Sequence, residues 1–418
     1  VDFSFAFLAG IIGFVATPYI AGELDVQTLP FSFGLAITVS LVSHIAGLHD
    51  PRFSRSNLDS IGKVIGVVCL SMAILLIELW IVHYLRAGRY IVFTSAITCI
   101  AGMILVRLIA WRYSQNFGSR VCFLGDDAFR YNASLLTSEQ EKSIRVIDEP
   151  QTDNLTDWAI DNQVDEIIYD PLAADPIDDE ALLSCLDQGV KVSSYADFVE
   201  DNFFFVPVDG IDAKWLLTAR LDLAHPYYNG IKRIVDIVAA IVGLIITSPI
   251  LLASVIAIKL ESSGPAFYSQ IRSGRFNRPF SIYKLRTMVQ DAEKDGAKWA
   301  SKSDSRITKI GNFLRKTRID EIPQFWNVLR GEMSLVGPRP ERPQFVSLLS
   351  EEIPFYVQRH LVKPGLTGWA QINYPYGASV EDAKNKLTFD LYYVKRASIM
   401  LDLQILLRTI GAMMKGSR

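Results

Sequence analysis

Four apolar runs dominate the first 120 residues: FSFAFLAGIIGFVATPYI at 3–20, FSFGLAITVSLVSHIAGL at 31–48, VIGVVCLSMAILLIELWIVH at 64–83 and IVFTSAITCIAGMILVRLIAW at 91–111. Each approaches the ~20 residues that cross a bilayer core, which predicts a four-helix transmembrane bundle over 1–115. A cleaved signal peptide is the alternative for the first run alone. The loop AGELDVQTLP after that run carries acids and no base, whereas Arg52, Arg55 and Lys63 follow the second run and Arg112 and Arg120 the fourth. Basic loops stay on the cytoplasmic side. Arg86 and Arg89 in the third loop weaken this count without reversing it, so the chain returns to the cytoplasm after four spans.

From Arg120 the period changes. VCFLG, SIRVIDE, VDEIIYD and VKVSS read as short strands, and RYNASLLTSEQE, NLTDWAIDNQ and DDEALLSCLDQG as the helices between them. Alternation of this kind predicts a Rossmann-like α/β domain with a parallel sheet over 119–218. A dinucleotide would sit at the first strand-to-helix turn. That turn is Gly125-Asp126-Asp127-Ala128, with one glycine where the fingerprint has three and two acids facing any pyrophosphate. Nucleotide binding and a structural or regulatory role both stay open, the second favoured by the acidic excess between Arg120 and Arg220.

The third domain, 229–418, begins with IKRIVDIVAAIVGLIITSPILLASVIAIKLESSGPAFY. Its apolar core from 237 to 258 is long enough to span a membrane at ~1.5 Å per helical residue. Two features favour a re-entrant helix over 231–260 instead, one that enters and leaves on the same side. Ser248-Pro249 sits at the middle, where proline removes a hydrogen bond. Both flanks are basic, Lys232 and Arg233 before and Lys259, Arg272, Arg275, Arg278 and Lys284 after, so a true span would expose one cluster outside. The C-terminal run SIMLDLQILLRTIGAMMK is amphipathic, which fits either a membrane surface or core packing.

Between these apolar segments the chain is dense in cations. Gln270, Arg272, Lys284 and Arg286 recur on short extended segments, a grouping suited to a polyanion such as a pyrophosphate; a face against lipid headgroups is the bland alternative. Arg306, Lys309, Arg315, Lys316 and Arg318 then lead into the carboxylates Asp320 and Glu321. Ile322, Phe325, Trp326 and Leu329 form an i, i+3, i+4, i+7 stripe, and Pro323 belongs in a first turn, so a helix is expected to start near Asp320. Thr317-x-x-Asp320 fits a capping box, but capping leaves the second acid unexplained. A short carboxylate can attack phosphorus, and a longer neighbour can hold Mg²⁺, which takes one or two carboxylates plus substrate phosphates.

Composition adds little beyond this. Half the residues are apolar and the net charge is −3. Cys69, Cys99, Cys122 and Cys185 are scattered without metal or disulfide spacing, and none of the five histidines sits in a zinc motif.

The succession SSGPAFYSQIRSGR, YKLRTM, DSRITKIGNFLRKT, DEIPQFWNVLRGEMSLVGPRP, VKPGLTGWAQI and FDLYYVKRASIMLDLQIL, over about 229–412, resembles the bacterial sugar transferase family of monotopic phosphoglycosyl transferases. The spans and α/β domain upstream resemble its larger members, which initiate exopolysaccharide, O-antigen or capsule assembly. The resemblance implies a mixed membrane protein: a transmembrane bundle, a Rossmann-like domain and an α-rich monotopic catalytic domain facing the cytoplasm at the bacterial inner membrane. It implies transfer of a sugar 1-phosphate from a UDP-sugar to polyprenyl (undecaprenyl) phosphate with release of UMP. Asp320 is then the nucleophile and Glu321 the ligand of Mg²⁺, with Mn²⁺ as a substitute. Substrate contacts are expected from Gln270, Arg272, Lys284, Arg286, Arg315, Pro338, Arg339, Pro340, Arg359, Asp390 and Asp402, and the helix break from Ser248 and Pro249. Expected partners are the bilayer, both substrates and a second copy of the chain, with no nucleic acid. One departure stands out: Asn373-Tyr374-Pro375 replaces a loop that in many relatives ends in arginine. Either Arg359 or another base substitutes, or the donor pocket differs.

Two other classes compete. A membrane sensor or scaffold would have no need of the two acids between Arg318 and Arg339. A nucleotide-sugar dehydratase or epimerase would need an intact glycine fingerprint and a Tyr-x-x-x-Lys pair in the α/β segment. Because every candidate reacting group lies beyond residue 229, a chain beginning near Pro226 is expected to keep its chemistry.

Overall fold

The structure is a computed structural model that describes residues 34–40, 42, 71, 97–105, 119–125, 144–147, 154–173, 178–218, 226–290, 306–375, 377 and 379–414. The expected bundle over 1–115 lies outside the described residues except for helical pieces at 34–40 and 97–105, which fall in the second and fourth apolar runs. The helix expected from RYNASLLTSEQE and the acids Asp126 and Asp127 also lie outside them. Two compact units divide between Phe198 and Val199.

In the first unit, β1 (Ser119–Leu124), β2 (Ile144–Ile147), β3 (Glu166–Tyr169) and β4 (Lys191–Ser194) form a parallel sheet in the order β2-β1-β3-β4. Val121 pairs with Val146, and Cys122 with Ile167. The helices α1 (Leu155–Asp161) and α2 (Asp179–Asp187) return the chain between parallel strands, each started by a side-chain cap, Asn154 and Asp178. Cys122, Leu124, Ala159, Ile167, Leu182, Cys185 and Val190 make one core. Three of the four cysteines are described, and Cys99, Cys122 and Cys185 are buried thiols outside any disulfide. A third helix, α3 (Tyr195–Phe203), follows β4 directly.

The second unit opens with a strap, Val199 to Thr218, which ends in the short helix α4 (Ala213–Thr218). Then comes α5 (Pro226–Glu261), 36 residues long. It is long and apolar enough to cross a membrane, and only 11% of its most apolar window is buried by protein. Ile234, Ile245, Ile246 and Leu252 are more than 60% exposed. An apolar surface of this extent needs a solvent other than water, so the protein is membrane-bound. Where a break at Ser248-Pro249 was expected, the helix runs on with Pro249 inside it. The missing proline N–H would have bonded Ile245 O, and Ser248 Oγ donates to that carbonyl at 2.8 Å instead. Both ends of α5 pack on the same folded body. Near its start Arg233 donates to Val328 O and Leu329 O, and Asp236 accepts from Leu335 N. At its end Ile258 packs with Ala266, Leu285 and Leu314.

After α5 the chain forms a hairpin, β5 (Phe267–Ser273) with β6 (Pro279–Leu285), in which Tyr268 faces Lys284. Helices α6 (Lys309–Lys316) and α7 (Gln324–Arg330) follow, then β7 (Ser334–Val336), α8 (Pro343–Glu352), β8 (Gly365–Thr367), the short α9 (Trp369–Asn373), α10 (Val380–Arg396) and α11 (Ile399–Met414). Strands β7 and β8 pair in parallel. In α11, Leu401 and Ile405 are buried while Ile399, Met400 and Leu403 are partly exposed, so one face packs and the other stays available to lipid.

Candidate functional site

The segment that carries the two acids is not built as the apolar stripe predicts. Thr317 caps the end of α6, donating to Phe313 O and Leu314 O, and does not start the next helix. Arg318 takes a left-handed conformation (φ 58°) and stops α6 from continuing. Ile319–Glu321 then forms a single 3₁₀ turn, and α7 begins only at Gln324. The buried face of α7 is Pro323, Gln324, Asn327 and Val328, whereas Trp326 is 53% exposed. Phe325 packs towards Gly243 of α5, where a Cβ would stand 2.8 Å from the ring. Phe325 and Leu329 of the stripe pack with buried Ala240, Ile282, Val328 and Met333, joining α7 to α5 and β6, and polar groups hold the rest of the inner face. Asn327, fully buried, donates to Ser281 O and Glu332 Oε2 at 2.7 Å and accepts from Tyr283 N, which fixes α7 to β6.

That brace brings Glu321 against Lys284 of β6. Glu321 Oε1 accepts from Lys284 Nζ at 3.0 Å and from Arg339 Nη2 at 2.7 Å, and Arg318 lies 3.7 Å from Oε2. Burial alone would raise its pKa, but Arg339, Lys284 and Arg318 overcome this and hold the carboxyl well below the usual range. Asp320 is the opposite case. It is 7% exposed, its Oδ1 has no hydrogen-bond partner, and burial followed by the Glu321 charge pushes its pKa up. Side by side, one acid is locked as an anion and the other is desolvated with a free oxygen. Such a carboxylate has exchanged the solvation that would quiet it for a ring of nearby cations.

Both acids open into a cavity of about 860 Å³. Of the residues the sequence singles out, Gln270, Arg272, Lys284, Arg286, Arg315, Arg339, Arg359 and Asp390 line it too. Several are already committed. Arg286 donates to Ser262 O and Ser263 O and ties down the end of α5, so its guanidinium positions the wall. Arg272 bonds Pro340 O and Glu341, and Arg315 bonds Thr287 Oγ1. Arg359 pairs with Asp390 at 2.7 Å and donates to Tyr356 OH and Arg339 O. Pro338 and Pro340 are buried behind the lining: Pro338 O accepts from Gly365 N, which leaves Arg339 alone turned to the cavity. Asp402, also expected to contact substrate, is not among the residues lining this cavity: it accepts from Lys232 of α5 at 2.7 Å and from Tyr393 OH.

The sequence reading missed Arg342, Glu341, Lys386 and Tyr356, which complete the wall. Glu341 and Arg342 directly follow the Pro338-Arg339-Pro340 word and could have been read with it, whereas Tyr356 and Lys386 come from separate elements that no local spacing links. The departing loop lines the same cavity through Gln371, Tyr374 and Pro375, a wall shared by the buried Arg359 and by Lys386, which donates to Gly377 O at 2.6 Å. No group of three or more His, Cys, Asp or Glu is gathered among the described residues. The donor set is therefore oxygen only and small: Glu321, whose Oε2 has only Arg318 at 3.7 Å, and the unpartnered Oδ1 of Asp320. That set fits Mg²⁺, which completes its sphere with water and substrate phosphate.

Comparison with known proteins agrees with this geometry. Residues 227–416 match the family model described as bacterial sugar transferase. The chain is 48% identical over 194 residues to the UDP-N-acetylgalactosamine-undecaprenyl-phosphate N-acetylgalactosaminephosphotransferase of Aeromonas hydrophila, covering 46% of either chain. It is 54% identical over 132 residues to a putative undecaprenyl-phosphate N-acetylgalactosaminyl 1-phosphate transferase of Bacillus subtilis, covering 32% of this chain and 74% of that one. It is 33% identical over 288 residues to the UDP-glucose:undecaprenyl-phosphate glucose-1-phosphate transferase of Xanthomonas campestris, covering 67% of this chain and 59% of that one. The match thus spans less than half of the Aeromonas protein. With a carboxylate pair, a basic cavity and a membrane helix all inside the matched segment, the chain belongs to the bacterial sugar transferase family.

Proposed function

We propose that this protein transfers a sugar 1-phosphate from a UDP-sugar to undecaprenyl phosphate, with Asp320 as a covalent carrier. The observation that supports it most directly is the buried, unpartnered Asp320 Oδ1 beside a salt-bridged Glu321 in an arginine-rich cavity. In the first step an oxygen of Asp320 attacks the sugar-bearing phosphorus of the donor. The bond from that phosphorus to the bridging oxygen breaks, and UMP leaves with the electron pair. In the second step an oxygen of undecaprenyl phosphate attacks the same phosphorus and Asp320 is released as a carboxylate. Two anions must meet in each step, and Lys284 and Arg339 are placed to lower that repulsion. Mg²⁺, when bound at Glu321 with the donor phosphates, supplies further charge neutralisation.

The reading places the second unit on the cytoplasmic side of the bacterial inner membrane, where nucleotide sugars are, with α5 entering and leaving on that side. Two relatives act on N-acetylgalactosamine donors by name and a third on UDP-glucose. The altered loop at Tyr374 and Pro375 lines the donor cavity, so sugar preference is expected to be decided there. Purified protein incubated with undecaprenyl phosphate and a panel of UDP-sugars should release UMP with one or a few donors. Chelation should stop release, and Mg²⁺ or Mn²⁺ should restore it. Absence of UMP with every donor, in folded protein with metal present, would refute the assignment.

A further inference from the structure

A second cavity, of about 250 Å³, lies at the start of α5 and shares no lining residue with the first. Four cations line it: Lys232, Arg233, Arg275 and Lys363, against one acid, Asp236. The Lys232 charge is cancelled by Asp402 at 2.7 Å. Asp236 is occupied by Ser334 Oγ and Leu335 N at 3.0 and 2.9 Å. The other three cations meet no carboxylate within salt-bridge distance among the described residues. Arg233 donates to the last carbonyls of α7, and Arg275 donates through Nε to Leu361 O. Lys363 Nζ has no hydrogen-bond or ion-pair partner among the described residues. Arg233 Nη2 and Lys363 Nζ stand 3.5 and 3.7 Å from one point, the place of a Cβ on Gly331. Two like charges are thus held close together in a half-buried pocket. Burial and then Arg233 push the Lys363 pKa down, as expected where a cation lacks its counter-ion.

An anion would relieve this, and the surroundings indicate which kind. The pocket opens at the first turns of the membrane helix, where Ile231, Ile234, Val235 and Val238 are exposed. A ligand seated here would meet cations with its head while an apolar surface runs on beside it. We infer that this cavity binds the phosphate group of a membrane phospholipid headgroup through Lys363, Arg275 and Arg233, apart from the transfer site. Occupied, it would anchor the start of α5 at headgroup depth. The inference rests on α5 lying in the membrane but not on the transfer chemistry.

The test uses the full chain in neutral detergent, titrated with dihexanoyl phosphatidylglycerol, dihexanoyl phosphatidylcholine or inorganic phosphate, with thermal stability as readout. Saturable stabilisation by the phosphatidylglycerol is expected, and Lys363→Gln should weaken it about tenfold, the scale of one charge-assisted contact. Lys363→Arg should retain it. Lys259→Gln, an exposed base at the far end of α5, and Arg339→Gln, in the larger cavity, should leave it in place. Stabilisation by phosphatidylglycerol beyond that by inorganic phosphate assigns the site to a lipid. Equal stabilisation by the two, lost in Lys363→Gln, leaves a phosphate site but overturns its lipid source. Equal loss in Lys363→Gln and Lys259→Gln would mean unspecific surface charge and would overturn the site altogether, as would no effect of Lys363→Gln.

Discussion

At the scale of single residues, the two acids differ through their neighbours and not through their chemistry. Glu321 is held by Lys284 and Arg339, while Asp320, one residue away, has an oxygen with no donor. Asp320→Asn should therefore cost about a thousandfold or more in UMP release, as loss of a covalent nucleophile does. Its melting temperature should not fall, because the change removes a desolvated charge. Near-normal turnover in that variant would end the carrier role. The pH dependence follows from the raised Asp320 pKa, caused by burial and then by Glu321. The folded protein holds this proton more tightly than the unfolded chain does. Its contribution to stability is thus present below the unfolded pKa and lost as pH rises through the folded one. Turnover runs the other way, since the attacking form is the carboxylate: it should fail as pH drops through the raised value. Carbon-13 titration of the Asp320 carboxyl should show that value above the normal aspartate range, and Glu321→Gln should move it down by removing the nearest negative charge. A normal pKa in the parent protein would contradict this account.

At the scale of elements, α5 keeps its helical course past Pro249 because Ser248 returns a donor to Ile245 O. In a bilayer no water can take over that carbonyl. Ser248→Ala should destabilise the protein by about 1 kcal/mol, and adding Pro249→Ala should recover the loss by restoring the backbone N–H. Additive losses in the double variant would mean that the serine acts elsewhere. The strap before α5 sets what a chain cut near Pro226, expected to keep its chemistry, would lose in stability. Buried Glu200 pairs with Lys395 and Arg396 of α10, Trp369 Nε1 donates to Phe204 O at 2.8 Å, and Phe205 packs on Phe389. Lys386 and Asp390, on the same helix α10, line the transfer cavity. A chain beginning at Val199 should keep its melting temperature and turnover. One beginning at Pro226 should melt roughly 5–10 °C lower, as loss of a few kcal/mol predicts for a unit of this size. Equal melting temperatures would show the strap to be passive.

At the scale of the whole molecule, the decisive point is that both ends of an apolar helix pack against one folded body. A helix crossing the bilayer would carry one end away from that body. Single cysteines at Asn229 and Ser262, in a cysteine-free background, should both resist a membrane-impermeant thiol reagent in intact cells and both react once the cells are opened. Labelling of one from outside would mean that α5 spans.

Much of this was legible in one dimension because it depends on local order. Strands and helices of the α/β unit follow from period and from caps such as Asn154 and Asp178, and the family motifs from short words such as Asp320-Glu321 and Pro338-Arg339-Pro340. The uninterrupted course of α5 was not legible, since proline in mid-helix reads as a break, although the hydroxyl that supports it lies only three residues from the carbonyl it satisfies. Tertiary structure decided what distance along the chain conceals. The apolar stripe of α7 faces the interior only in part: Phe325 and Leu329 pack on the core beside α5 and β6 while Trp326 is exposed, and the buried polar side chain of Asn327 fixes α7 to β6. Asp390 and Asp402, only 12 positions apart, end with different partners, Arg359 in the transfer cavity and Lys232 of α5, because α10 and α11 are separate helices with separate neighbours. The charge state of Asp320 and Glu321 was set in the same way. Identical functional groups became different reagents when the fold brought Lys284 and Arg339 to one and left the other desolvated, and those contacts join residues 18 to 37 positions apart.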